Sequence, residues 1–309
     1  MAHGALVESR MRIIAIFLLL GLAVSSVAAP KDAAITGSGD VVRSSHTYKT
    51  IGEVKLAVEV YSPKGHAAGD KRPAIVFFFG GGWQSGSVKQ FEKQCEYFAT
   101  RGMVAMAADY RVKSRHDVSP DKCVMDAKSA IRWVRANAGK LGVDPDRIVA
   151  AGGSAGGHIA ACTGIVPGYD EETEDQKVSS VPSALVLFNP ALNTTPQGWD
   201  EQRGAGLVAR FGTHAKALSP QHHVKKGQPP TLVIHGKADT TVPFAQAEAF
   251  AAAMKEAGNR CDLAAYDGQA HGFFNYGRGD NAMFIATTAA ADRFLASLGY
   301  LKGEPTIGK

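Results

Sequence analysis

The hydrophobic pattern along the chain changes character once. The segments His46 to Tyr48 and Val54 to Tyr61 alternate apolar and polar residues, the period of strands with one face in water. From Ala74 onward, short continuously apolar runs take over: Ala74 to Phe79, Val104 to Ala108, Ile148 to Ala151, Ala184 to Phe188 and Leu232 to Ile234. Runs of that length without alternation fit strands covered on both faces. Amphipathic stretches near Phe91 to Thr100, Asp121 to Asn137, Ala155 to Thr163, Ala245 to Ala257 and Ala282 to Ser297 read as helices. Strand and helix alternate, so the expected fold class is α/β, a doubly wound and mostly parallel sheet opened by an N-terminal antiparallel hairpin. No linker or repeat divides the pattern, which predicts one domain over residues 47–300, a linker over 29–46 and a dispensable tail over 301–309. Two insertions interrupt it. The acidic stretch Asp170 to Asp175 reads as a solvated surface loop. The region Asn189 to Gln228, rich in Gly, Pro and His, reads as an irregular lid or binding wall with room for a short cap.

With 45% hydrophobic and 20% charged residues in 309, the chain has the apolar content for a large core, which excludes a disordered or collagen-like protein. Its 34 basic and 29 acidic residues leave a net charge of +5, and the basic residues are scattered, so no nucleic-acid face is expected. Arg10 and Arg12 precede an apolar stretch from Ile13 to Val24 that ends in the small residues Ser25 to Ala29. That order predicts a signal peptide over 1–28, cleaved after Ala28. The stretch is shorter than the roughly 20 residues of a spanning helix and Pro30 follows it. The expectation is therefore a secreted or periplasmic protein without a stable membrane anchor, against the competing reading of an uncleaved anchor. The four cysteines, Cys95, Cys123, Cys162 and Cys261, lack metal-ligand spacing. They permit three full disulfide pairings, with buried unpaired thiols as the other reading.

The candidate chemistry sits in two glycine clusters. Gly152-Gly153-Ser154-Ala155-Gly156-Gly157 follows one apolar run and opens a helix, the context in which G-x-S-x-G presents a serine on a tight strand-to-helix turn. The glycine spacing fits neither a dinucleotide fingerprint nor a P-loop. Phe79-Gly80-Gly81-Gly82-Trp83 leaves the end of another run, so the N–H groups of Gly81 and Gly82, with that of Ala155, are candidates for an oxyanion hole. An acid and a base in the order Ser, Asp, His are supplied by Asp239, just past Leu232 to Ile234, and His271, in the loop after an expected strand near Leu263 to Tyr266. His235 reads as packed at a strand end and His158 as a support of the serine turn. His214, His222 and His223 lie in the irregular insertion without a strand to fix them. Asp267 competes with Asp239 but shares a loop with the histidine it would orient, and Asp262 precedes the strand. The implied reaction is ester hydrolysis through an acyl-enzyme on Ser154, with His271 as base and Asp239 orienting it, which calls for no metal or organic cofactor.

These motifs resemble the α/β-hydrolase esterases related to hormone-sensitive lipase and to bacterial acetyl and feruloyl (acetylxylan) esterases. The resemblance runs from about Tyr48 to Tyr300. It rests on Gly80-Gly81-Gly82-Trp83, Ala108-Asp109-Tyr110-Arg111, Gly152 to His158, His235-Gly236-Lys237-Ala238-Asp239 and His271-Gly272-Phe273-Phe274-Asn275-Tyr276. It implies an α/β-hydrolase fold with a small cap insertion, the oxyanion hole named above, and Trp83 as a substrate-binding residue. Lipase-like relatives carry His before the triple glycine where this chain has Phe79, which favours the secreted polysaccharide-esterase side. The expected function is a secreted serine carboxylesterase for short acetyl or feruloyl esters, on small molecules or on xylan-type polysaccharide. A prolyl-oligopeptidase-like peptidase shares the triad but adds a propeller domain absent here, and a catalytically silent binding protein has no need to retain all three residues.

Overall fold

The computed structural model describes residues 34–36 and 40–308, besides Met1; the apolar stretch Ile13 to Val24 and the expected cleavage point after Ala28 lie outside the described residues. Among the described residues nine strands form one sheet: β1 (Ala34–Thr36), β2 (Val41–Ile51), β3 (Val54–Pro63), β4 (Arg72–Phe78), β5 (Val104–Ala108), β6 (Val143–Gly153), β7 (Ala184–Phe188), β8 (Thr231–Gly236) and β9 (Cys261–Tyr266). Their order across the sheet is β1-β2-β3-β5-β4-β6-β7-β8-β9. The first three strands are antiparallel to their neighbours and the remaining pairs are parallel. Eight α-helices among the described residues complete the frame: α1 (Glu92–Thr100), α2 (Lys113–His116), α3 (Pro120–Ala136), α4 (Ala138–Leu141), α5 (Ala155–Ile165), α6 (Glu201–Phe211), α7 (Phe244–Glu256) and α8 (Ala282–Ser297).

The continuously apolar runs are explained by two cores, one on each face of the sheet. In β4, Ala74, Val76 and Phe78 pack with α3, α5 and α7 on one face. Ile75 and Phe77 point the other way, into a core shared with α1 and α8. Because side chains alternate along a strand, a sheet covered on both sides needs apolar residues at every position.

Two boundaries and one loop differ from what the pattern predicts. Residues 41–46 belong to β2 rather than to a linker. Their polar run is stabilised by neighbours distant in sequence: Arg43 pairs with Glu92 at 2.7 Å and with Glu96, lies over the Tyr61 ring, and Ser45 donates to Glu59 at 2.7 Å. The tail is docked rather than free. Leu301 is buried, Arg101 donates to the carbonyls of Lys302 and Gly303, and the Thr306 N–H reaches the Tyr97 hydroxyl. The acidic stretch is solvated only in part: Glu172 and Asp175 are exposed, while Asp170, Glu171 and Glu174 are tied down. Glu171 pairs with Lys49 at 3.0 Å, Asp170 with Arg132 and with Lys128 at 3.2 Å, and Glu174 with Arg132 at 2.6 Å, all three cations being buried. Those cations come from β2 and α3, far from the loop in sequence.

Candidate active site

Ser154 stands between β6 and α5 with φ 56° and ψ −120°, a backbone conformation costly for any residue with a side chain and one that costs on the order of 1–3 kcal/mol. The surroundings fix it there: its N–H donates to the Phe188 carbonyl at 2.9 Å, and its carbonyl accepts the His158 N–H at 2.9 Å. Gly156 follows because β4 crosses directly beneath the turn. A Cβ at that position would lie 2.1 Å from the Phe78 carbonyl oxygen, so no larger residue fits.

The structure brings Ser154, His271 and Asp239 together. His271 Nε2 is 2.9 Å from Ser154 Oγ and its Nδ1 is 2.7 Å from Asp239 Oδ2. A carboxylate only accepts, so Nδ1 carries the proton and Nε2 is left to accept the serine O–H. Asp239 is buried at the end of β8 and its Oδ1 accepts the N–H groups of Thr241 and Val242 at 2.8 and 2.9 Å. Burial alone would raise its pKa. Hydrogen bonds from His235, His271 and the Val242 N–H outweigh that effect and hold the carboxyl well below the usual range.

Around the serine, Gly81 takes φ 129° and packs so closely that a Cβ there would lie 2.1 Å from the Ser85 carbonyl oxygen. Among the described residues the N–H groups of Gly81 and Gly82 have no acceptor within the chain. Three contacts hold this turn, and none was legible in the sequence. Gln90 accepts the Gly80 N–H at 2.6 Å and donates to Asn275 at 2.9 Å, linking the turn to the loop that carries His271. The Tyr110 hydroxyl donates to the Phe79 carbonyl at 2.7 Å while the two rings stack with centroids 4.2 Å apart. Phe79 therefore occupies the position of the absent histidine as a packed ring, and Gln90 with Tyr110 does the bracing.

Trp83 is 4% exposed, so it packs as well as lining the cavity above Ser154. Its indole N–H donates to His158 Nδ1 at 3.1 Å, and His158 Nε2 contacts the Leu218 carbonyl at 2.7 Å. His158 is thus a buttress, and burial pushes its pKa down to about 4. The other histidines stay apart from Ser154: His214 contacts Tyr169, His222 contacts Ser219 and His223 the Ala217 carbonyl. His235 is buried at its strand end as expected, and in addition its Nε2 lies 3.2 Å from Asp239 Oδ2. Asp267 pairs with Lys237 at the surface and Asp262 with Arg260.

A cavity of about 320 Å³ opens over Ser154, Gly82 and Trp83. Its far wall is α6, an amphipathic helix inside the insertion that reads as irregular. Gly204 and Gly206 lower helix propensity there by about 1 kcal/mol each, and packing of Leu207 and Phe211 overrides them. Ala191 and Val242 complete an apolar lining. Among the described residues no group of three or more His, Cys, Asp or Glu side chains is arranged to hold a metal ion, and all four cysteines are buried free thiols. No described helix is long and apolar enough to cross a membrane.

Residues 58–254 match the BD-FAE family. Among curated proteins, the chain is 31% identical to the esterase LipC of Mycobacterium tuberculosis over 65% of its own length and 53% of that protein's. It is 29% identical to a probable isoprenylcysteine alpha-carbonyl methylesterase of Oryza sativa over 64% and 51%. The chain thus spans about half the length of the curated relatives it matches. Among solved structures, esterase 2 of Thermogutta terrifontis phosphoramylated by tabun superposes with a TM-score of 0.81 at 54% identity, covering 85% of this chain and 97% of that one. The same esterase with propionate bound gives 0.80 and 55% over 84% and 96%. The fold and these likenesses agree: the chain belongs to the BD-FAE family, within the esterases of the α/β-hydrolase fold.

Proposed function

We propose that the protein is a secreted serine carboxylesterase that hydrolyses short-chain acyl esters. The observation that carries this reading is the unbroken chain of contacts from Ser154 Oγ through both nitrogens of His271 to Asp239. His271 Nε2 takes the serine proton as Oγ bonds to the ester carbonyl carbon, and the carbonyl electrons move to the oxygen, where the N–H groups of Gly81, Gly82 and Ala155 stabilise the charge. Collapse breaks the bond to the alcohol oxygen, which leaves with the proton held on His271. Water then attacks the acyl-enzyme, giving its proton to His271, and Ser154 is regenerated as the acid departs. Asp239, kept ionised, orients the imidazole and stabilises its charged form.

The cavity of about 320 Å³ suits small acyl groups, and the Thermogutta esterase has been solved with propionate and with butyrate bound. Acetyl or feruloyl esters on xylan-type carbohydrate are the substrate class the family resemblance favours, and the stretch from Arg10 to Ala29 supports export. The test measures acetate release from acetylated xylan beside hydrolysis of p-nitrophenyl acetate and longer esters, with the parent and Ser154→Ala, together with covalent labelling by paraoxon. Serine-dependent cleavage of both acetyl substrates supports the full reading. Cleavage of aryl esters alone removes the carbohydrate, and no serine-dependent turnover or labelling removes the esterase. N-terminal sequencing of exported protein checks processing after Ala28.

A further inference from the structure

The wall of the cavity contributed by α6 carries charge that the proposed chemistry does not use. Gln202, Arg203, Gly206, Leu207 and Arg210 recur at helical spacing, so they form one stripe, and all five line the cavity over Ser154. Leu207 is buried against the apolar lining, and the polar members of the stripe stay solvent-exposed. The two arginines differ. Arg203 is neutralised by Asp200 at 3.0 Å. Arg210, among the described residues, has neither a hydrogen-bond nor an ion-pair partner, and its Nη1 stands 3.2 Å from where a Cβ of Gly82 would lie. A guanidinium is thereby suspended over the glycine turn beside the serine. Among the described residues no aspartate or glutamate lines the cavity, so none of them in its wall answers that charge.

A solvent-exposed guanidinium retained without an acid at the wall of a cavity over the serine is a ready receptor for an anion, because its fork of donors matches a carboxylate in two parallel hydrogen bonds. We infer that Arg210 is a specificity-determining residue that selects esters bearing a second, anionic group, such as a half-ester of a dicarboxylic acid or the acyl ester of a hydroxy acid. The inference rests on the esterase reading of Ser154. The charge would attract such substrates to the mouth and hold the anion while the ester carbonyl sits on the serine. Apolar esters of the same shape gain nothing from it.

The test compares matched pairs by pH-stat titration. On the acyl side, monoethyl succinate is set against ethyl 4-methylpentanoate, in which an isopropyl group replaces the carboxylate. On the alcohol side, acetoxyacetate is set against isobutyl acetate. The parent is expected to favour the anionic member of at least one pair, and which pair it is tells acyl-side from alcohol-side recognition. In Arg210→Gln the ratio of anionic to neutral kcat/KM should fall about tenfold, the usual yield of a hydrogen bond to a charged group. Arg210→Glu should lower it further, Arg210→Lys should recover part of it, and added salt should reduce the parent's preference. An equal effect of Arg210→Gln on both members of each pair, or no anionic preference in the parent, overturns the inference while leaving the esterase intact. A parent that cleaves neither member of either pair nor p-nitrophenyl acetate overturns the esterase reading instead. Binding of monoethyl succinate to Ser154→Ala by calorimetry then reads the anion site without turnover, and equal affinity with and without Arg210→Gln overturns it there too.

Discussion

The two insertions of this fold are built on opposite electrostatic plans. In the loop around Asp170 to Glu174, every acidic partner named above meets a buried cation. Arg132 alone holds Asp170, Glu174 and the Val178 carbonyl, while Lys128 holds Asp170 and the carbonyls of Val166 and Gly168. The α6 insertion leaves Arg210 open over the cavity. A charge taken out of water with its partners ties one part of the chain to another, whereas a charge left without a partner beside a reactive serine is available to a substrate. The pairing of charges, more than their number, separates scaffold from site.

That contrast can be broken at either end. The largest effect belongs to the serine: Ser154→Ala should lower kcat/KM on p-nitrophenyl acetate on the order of 10⁴-fold or more, with an unchanged circular dichroism melt showing that the fold persists. Next comes the scaffold insertion. Arg132→Ala leaves Glu174 without its cation and Asp170 with Lys128 alone, and also loses the bond to the Val178 carbonyl, so it should cost about 3 kcal/mol in urea unfolding, with the preference among ester substrates unaltered. A shift in that preference would erase the distinction between the two insertions.

Third is the acid response of the buttress. The folded state holds His158 neutral down to about pH 4, while the unfolded chain protonates it near pH 6.5. Its contribution is therefore complete above about pH 6.5 and drains as pH falls toward 4, by about 3 kcal/mol at most. In His158→Gln, unfolding free energies across that window should show a shallower slope. Fourth, Gln90→Ala releases the glycine turn and should lower kcat roughly tenfold with KM little changed, measured on the same aryl ester. Last, Arg210→Gln should leave unfolding stability within about 0.5 kcal/mol of the parent, in contrast to Arg132→Ala, because no partner is lost.

How much of this was legible in the sequence follows from how local each signal is. Ser154, Asp239 and His271 each sit just past an apolar run, and a run plus a glycine turn is a local pattern, so chain order sufficed to place them. Helix α6 was hidden because Gly204 and Gly206 dilute its periodicity and its stabilising partners, Trp83 among them, lie elsewhere. Gln90 and Asn275 are 185 residues apart and carry no local mark of being bonded. The acidic stretch looked solvated because its counter-charges lie on β2 and α3, and β2 looked like linker because the glutamates that Arg43 bonds come from α1. Patterns within a window reveal strands and turns; pairings across the fold do not show until the strands are ordered.

The buried thiols give the molecule a built-in clock. Burial raises the pKa of all four, that of Cys261 to about 12, so at neutral pH none is the thiolate that alkylating reagents attack. They are spread over α1, α3, α5 and the start of β9, which sample both faces of the sheet. The time at which each becomes alkylated under native conditions therefore dates the opening of its own layer, and the order of labelling would map which face of the sheet loosens first.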